Sequence, residues 1–76
     1  MIKKLSELKK GEAGIIRSFD SEELFIKLME MGCIPGEKIF VEQTAPLNGP
    51  ISILIGSYKL SLRIDEAECV GVEVSI

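Results

Sequence analysis

The sequence predicts a mainly β fold: a small, partly open barrel of about five strands with one short helix inserted after the first strand. Three observations carry the prediction. Aliphatic residues dominate the apolar set, with eleven Ile and eight Leu against three Phe, one Tyr and no Trp, and β-branched side chains suit a pleated, half-buried surface. Seven Gly and three Pro punctuate the chain, as turns between short strands require. Two alternating segments also flank a two-residue Gly56-Ser57 loop, which is a hairpin signal.

The elements follow in order. Leu5 and Leu8 in KKLSELKKG stand three apart, predicting one helical turn that docks two leucines before Gly11 ends it. Ala13 to Phe19 reads as the first strand. Asp20 or Ser21 then caps a helix, with Glu22 and Glu23 in its first turn near the positive end of the dipole. Asp20 and Glu23 also have capping-box spacing. Leu24, Phe25, Leu28 and Met29 form an apolar stripe assigned to the core, opposite Glu23, Lys27 and Glu30. Glu23 precedes Lys27 by four residues, the favourable order for a pair along the helix. Gly32 occupies the position where a left-handed residue ends a helix, and Pro35 keeps it from resuming.

Pro35-Gly36 fits a type II turn that launches a second strand, Lys38 to Ala45. Residues 45–50 (APLNGP) form a loop in which Asn48-Gly49 is the turn signal, while Pro46 and Pro50 keep it away from central strand positions. Ile51 to Ile55 and Tyr58 to Ile64 make the hairpin. Its short loop places Ile55 opposite Tyr58, Ile53 opposite Leu60 and Ile51 opposite Leu62, all on one face. Ser52, Lys59, Ser61 and Arg63 take the other face, where Leu54 is the apolar exception. Asp65 to Glu68 is an acidic turn. In the last strand Val70, Val72, Val74 and Ile76 alternate with Cys69, Gly71, Glu73 and Ser75. The five strands and one helix, closing on one core, make a barrel of SH3-like type spanning residues 1–76 as a single domain.

Composition excludes several functions. The chain has no histidine, so nothing of that kind activates a serine or cysteine, and no glycine-rich phosphate motif occurs; an enzyme is not expected. The net charge of −3 argues against nucleic acid, which wants a basic face. Lys3, Lys4, Lys9 and Lys10 against Glu7 do give the first ten residues a local +3, on a body summing to −6. No apolar run is long enough to enter a membrane or to serve as a signal peptide, so a reduced cytoplasmic setting is expected.

Cys33 and Cys69 stand 36 residues apart, which suits neither a disulfide framework nor a zinc site. They are the weak metal candidates, with Asp65, Glu66 and Glu68 as other donors. Ligand spacing does not support Fe(II) or another transition metal, and no cofactor is required. The chain also lacks the aromatic floor of a proline-peptide groove. Contact with another protein remains, and Met31, Ile34 and Leu47, in or beside turns, are the candidate partner-binding residues.

These residues resemble the FeoA family, small cytosolic proteins of bacterial ferrous iron uptake. The resemblance rests on LSELKKGEAGII (Leu5 to Ile16), on LMEMGCIPGEKI (Leu28 to Ile39) with Gly32, Pro35 and Gly36, and on the segment from Ala45 to Val74. That segment carries Pro46, Pro50, Gly56, Leu62, Arg63, Glu66 and Ala67 in the family's order. Cys33, where such sequences more often carry an aliphatic residue, and Asn48-Gly49, where Gly-Asp is common, depart from the pattern. The resemblance implies an SH3-like barrel and a non-enzymatic accessory role beside FeoB, a membrane iron transporter with a cytosolic GTPase domain. Two alternatives stand beside it. One is a detached regulatory module, like the SH3-like domain of metal-dependent repressors of the diphtheria-toxin-repressor type. The other is a direct binder of transition-metal ions. Exposed strand edges in an open barrel also admit a homo-dimer.

Overall fold

The computed structural model describes residues 1–44 and 49–74. In chain order the elements are β1 (Ile2–Lys4), a 3₁₀ turn (Leu5–Glu7), β2 (Ala13–Phe19), α1 (Glu22–Glu30), β3 (Lys38–Thr44), β4 (Ile51–Ile55), β5 (Tyr58–Leu62), α2 (Ile64–Ala67) and β6 (Val70–Glu73). The strands form one antiparallel sheet in the order β1-β6-β2-β3-β4-β5. Its register skips at Arg17 in β2 and at Glu42 in β3. Such bulges bend a strand and increase its twist, and here they curl the sheet into the partly open, SH3-like barrel expected.

The described residues hold six strands rather than about five. The additional one, β1, contains one apolar residue in three, so no periodicity announces it. Pairing makes it a strand: Ile2, Lys3 and Lys4 lie opposite Glu73, Val72 and Gly71 of β6.

The hairpin has the register its short loop dictates, with Ile51↔Leu62, Ile53↔Leu60 and Ile55↔Tyr58. Ile51, Ile53, Ile55 and Leu62 are buried and Leu60 is half-buried. Leu5 and Leu8, from the predicted helical turn, close one end of the core, joined by Ile16, Leu24, Leu28, Ile39, Val41, Val70 and Val72.

Some boundaries move. The hairpin's second strand stops at Leu62 instead of Ile64, because Arg63 becomes the N-cap of α2 and donates its amide to Glu66 Oε1 at 2.9 Å. The acidic turn is thus one α-helical turn. The last strand begins at Val70 rather than Cys69, whose N–H instead donates to the Glu66 carbonyl. Residues 45–48, with Pro46, Leu47 and Asn48, and residues 75–76 lie outside the described residues.

Candidate partner-binding surface

The surface is organised by α1 and the turn that follows it. Ser21 is the cap, its Oγ accepting the Leu24 amide at 3.2 Å. Asp20 is not the cap; its N–H donates to the Cys69 carbonyl and ties the helix entrance to the residue before β6. At the other end Cys33 N–H reaches the Leu28 carbonyl at 2.9 Å and Gly32 N–H the Met29 carbonyl at 3.1 Å. This double bond pattern requires a left-handed residue after the cap, and Gly32 supplies it at φ 87°. The chain then turns at Pro35-Gly36, with Gly36 at φ 96° and Glu37 N–H bonded to the Ile34 carbonyl, as a type II turn demands.

Only part of the apolar stripe of α1 meets the core. Leu24 and Leu28 are buried, Phe25 is half-buried, and Met29 is 46% exposed. The reason is angular. At about 100° per residue, Leu28 lies about 40° from Leu24, whereas Phe25, Met29 and Ile26 lie about 100°, 140° and 200° away. A nine-residue helix against one flank of a narrow barrel buries only the first two. Ile26, which lies outside the apolar stripe, is 52% exposed.

Phe25 closes part of its exposure against Phe19 of β2, with ring centroids 5.3 Å apart and planes tilted by 59°. Phe19 and Phe25, with Arg17, Glu22 and Pro35, line a shallow cleft between α1 and the turn. Ile34, next to Pro35, is 37% exposed. Met31 packs half-buried against the core, so the turn presents Ile34 more than Met31. Pro50 and Arg63 are exposed and Leu62 is buried.

On the far side, α1 meets α2. Lys27 Nζ lies 2.5 Å from Glu66 Oε2. The lysine is therefore drawn to α2 rather than to Glu23. Its hydrogen bond, then that of the Arg63 amide, holds the Glu66 carboxyl below the usual carboxylate range. Ser21, Glu23, Asp65 and Cys69 line the same cleft. The Cys69 S–H points to the Asp65 carbonyl at 3.6 Å. Cys33 is fully buried, and burial pushes its thiol up to about 11, so it is protonated at neutral pH. Among the described residues no three cysteine or carboxylate side chains stand together to hold a metal ion.

A second apolar spot lies outside the barrel. Phe40 of β3 is exposed and stands opposite Ala13 of β2 and Leu54 of β4. Leu54 was already an exception on a polar face; its alignment with Phe40 required the β3–β4 register.

The model of the FeoA domain matches residues 3–74. The chain belongs to the FeoA family. Within that family, the Fe(2+) transport protein A/Fe(2+) transporter FeoB fusion protein of Porphyromonas gingivalis is 38% identical over 72 residues. The match takes in 93% of this chain and 8% of the fusion protein, so this chain spans a small fraction of that relative's length. The FeoA protein from Chlorobium tepidum, whose solution structure is known, is 35% identical and superimposes with a TM-score of 0.87, over 97% of this chain and 71% of that one. A manganese-dependent transcriptional repressor superimposes at 0.88 with 17% identity, over 97% of this chain and 42% of that one. At that identity the likeness is one of fold. Among the described residues of this FeoA domain, no helix is long and apolar enough to cross a membrane.

Proposed function

We propose that this FeoA domain is a non-enzymatic accessory of bacterial ferrous iron uptake, acting in the cytoplasm by contact with a FeoB-type membrane GTPase transporter. The observation that carries the reading is the Porphyromonas gingivalis relative, in which one chain is both Fe(2+) transport protein A and FeoB. Fusion raises the effective concentration of one partner for the other, which favours pairs that act together. The residues agree with a contact role. There is no histidine to act as a base, while the aliphatic side chains of Ile26, Met29 and Ile34 face outward. Residues 1–76 act as one module in this reading, and no resident metal takes part. A buried, protonated Cys33 and a Cys69 engaged with the Asp65 carbonyl are poor ligands.

The test is a titration of the soluble GTPase domain of a FeoB-type transporter with this protein. Saturable binding, with a change in GTP hydrolysis or in iron transport by the full-length transporter, is expected. Absence of binding and of any effect on transport would refute the proposal. Stoichiometric Fe(II) uptake by the isolated protein under anaerobic conditions, lost on replacing both cysteines with serine, would favour a metal carrier instead.

A further inference from the structure

The outward face of α1 has a composition that the fold itself does not use. Helical spacing surrounds Ile26 with Glu22 and Glu23 one turn before it and with Met29 and Glu30 one turn after. All five side chains are exposed. Lys27, the only cation of this helix, is turned away to Glu66. No ion pair among the described residues engages Glu22, Glu23 or Glu30. The face is therefore an apolar centre inside an acidic rim that no ion pair engages among the described residues, and along its edge opens the Phe25–Pro35 cleft, whose one cation, Arg17, pairs with Glu73.

We propose that this face is the docking site for a basic amphipathic helix of a partner protein. Its apolar residues would pack on Ile26 and Met29, and its Lys or Arg residues would meet Glu22, Glu23 and Glu30. Charge complementarity selects this occupant. A second copy related by a two-fold axis would bring the same three acids against one another, and nucleic acid or an anionic membrane would be repelled by them. An unbranched Met beside a branched Ile also suits helix recognition, since Met adapts to the anchor it meets. The spot formed by exposed Phe40 and half-buried Leu54 lacks such a rim of like charge, because Glu42 and Lys59 pair with each other at 3.0 Å and leave the single charge of Lys38 beside Phe40.

The inference rests on the accessory reading only in assigning the helix to the transporter's cytosolic part, and the test separates the two. The first probe is a synthetic amphipathic helical peptide of leucine and lysine, titrated into isotopically labelled protein and followed by amide chemical shifts. A leucine–glutamate peptide serves as control. Shifts centred on residues 22–30, binding weakened about tenfold or more by Ile26→Ser with Met29→Ser, and a shallower salt dependence in Glu22→Gln with Glu30→Gln are expected. Shifts centred elsewhere, or equal binding of the glutamate peptide, would overturn the proposal. The second probe is the soluble GTPase domain. Binding that survives Ile26→Ser with Met29→Ser would overturn the α1 assignment and leave the accessory reading standing. A GTPase domain that does not bind, beside a lysine peptide that maps to α1, would sink the accessory reading and support the docking face. Unchanged thermal melts of these exposed-site variants confirm that folding is not the cause.

Discussion

Gly14 is a glycine in mid-strand whose replacement tests how closely β2 and β6 approach. A Cβ built on it would lie 2.4 Å from Val72 Cγ1 and 2.7 Å from the Glu73 carbonyl oxygen. Carbon atoms in contact sit about 3.5–4.0 Å apart, so Gly14→Ala demands a shift of roughly an ångström. Neither neighbour yields easily. Val72 is fully buried between β1 and β2, and the Glu73 carbonyl belongs to the backbone of the same strand. Overpacking of this kind costs about 1–3 kcal/mol. At about 2 cal/mol/K of unfolding entropy per residue, 76 residues lose about 6 °C of Tm per kcal/mol, so a fall of roughly 6–18 °C is expected. Thermal and urea unfolding followed by circular dichroism reads it directly. Gly71→Ala is the control: its Cβ would meet Ser18 Oγ at 2.3 Å, but Ser18 is exposed and its hydroxyl can rotate away. Val72→Ala in the Gly14→Ala background removes the methyl clash and leaves the carbonyl clash, so the two changes should cost less together than their sum. A Gly14→Ala protein melting within about 2 °C of the parent, or a Gly71→Ala protein damaged equally, would refute the close approach.

Three further outcomes are expected. Ile53→Ala, at a fully buried site between β3 and β5, should cost about 2–5 kcal/mol in urea unfolding through the cavity it leaves, a large share of the stability of so small a domain. Glu66 has a lowered pKa in the folded state, with Lys27 as the first cause. Its contribution is therefore present above the unfolded carboxylate range and is lost as pH falls through the lowered value. A melt series in acid should show this slope reduced in Glu66→Gln. Native protein treated with a thiol reagent near pH 8 should label at Cys69, which is half-exposed, and resist at Cys33 until unfolded.

The register of the hairpin from Ile51 to Leu62 was legible in the sequence because its two-residue loop and its alternation constrain the same pairing, whereas the strand's end at Leu62 was set by the cap of α2. The end of α1 was legible for a similar reason: Gly32 and the Pro35-Gly36 pair are demanded by local backbone geometry. Much of the candidate site was not legible. Met29 fits an apolar stripe as well as Leu28 does, and only the narrow line of contact between α1 and the barrel separates them. The Lys27–Glu66 pair joins residues 39 apart, and the competing partner Glu23 lay within helical reach. The exposure of Ile34 was legible because a turn cannot bury every apolar side chain, whereas that of Ile26 carried no signal beyond its phase on the helix.

The sequence by itself determined the class of fold, the hairpin register, the helix boundaries near Ser21 and Gly32, and the family, since each rests on local backbone preference or on residue order. Tertiary structure alone decided that Ile2–Lys4 is a strand, that Gly14 and Gly71 sit where β6 meets its neighbours, and that Phe40 aligns with Leu54. It also decided that, among the described residues, Lys27 pairs with Glu66 and no ion pair engages Glu22, Glu23 or Glu30. Those facts depend on which surfaces meet across the barrel, and packing between distant segments is a property of pairs that no single segment encodes.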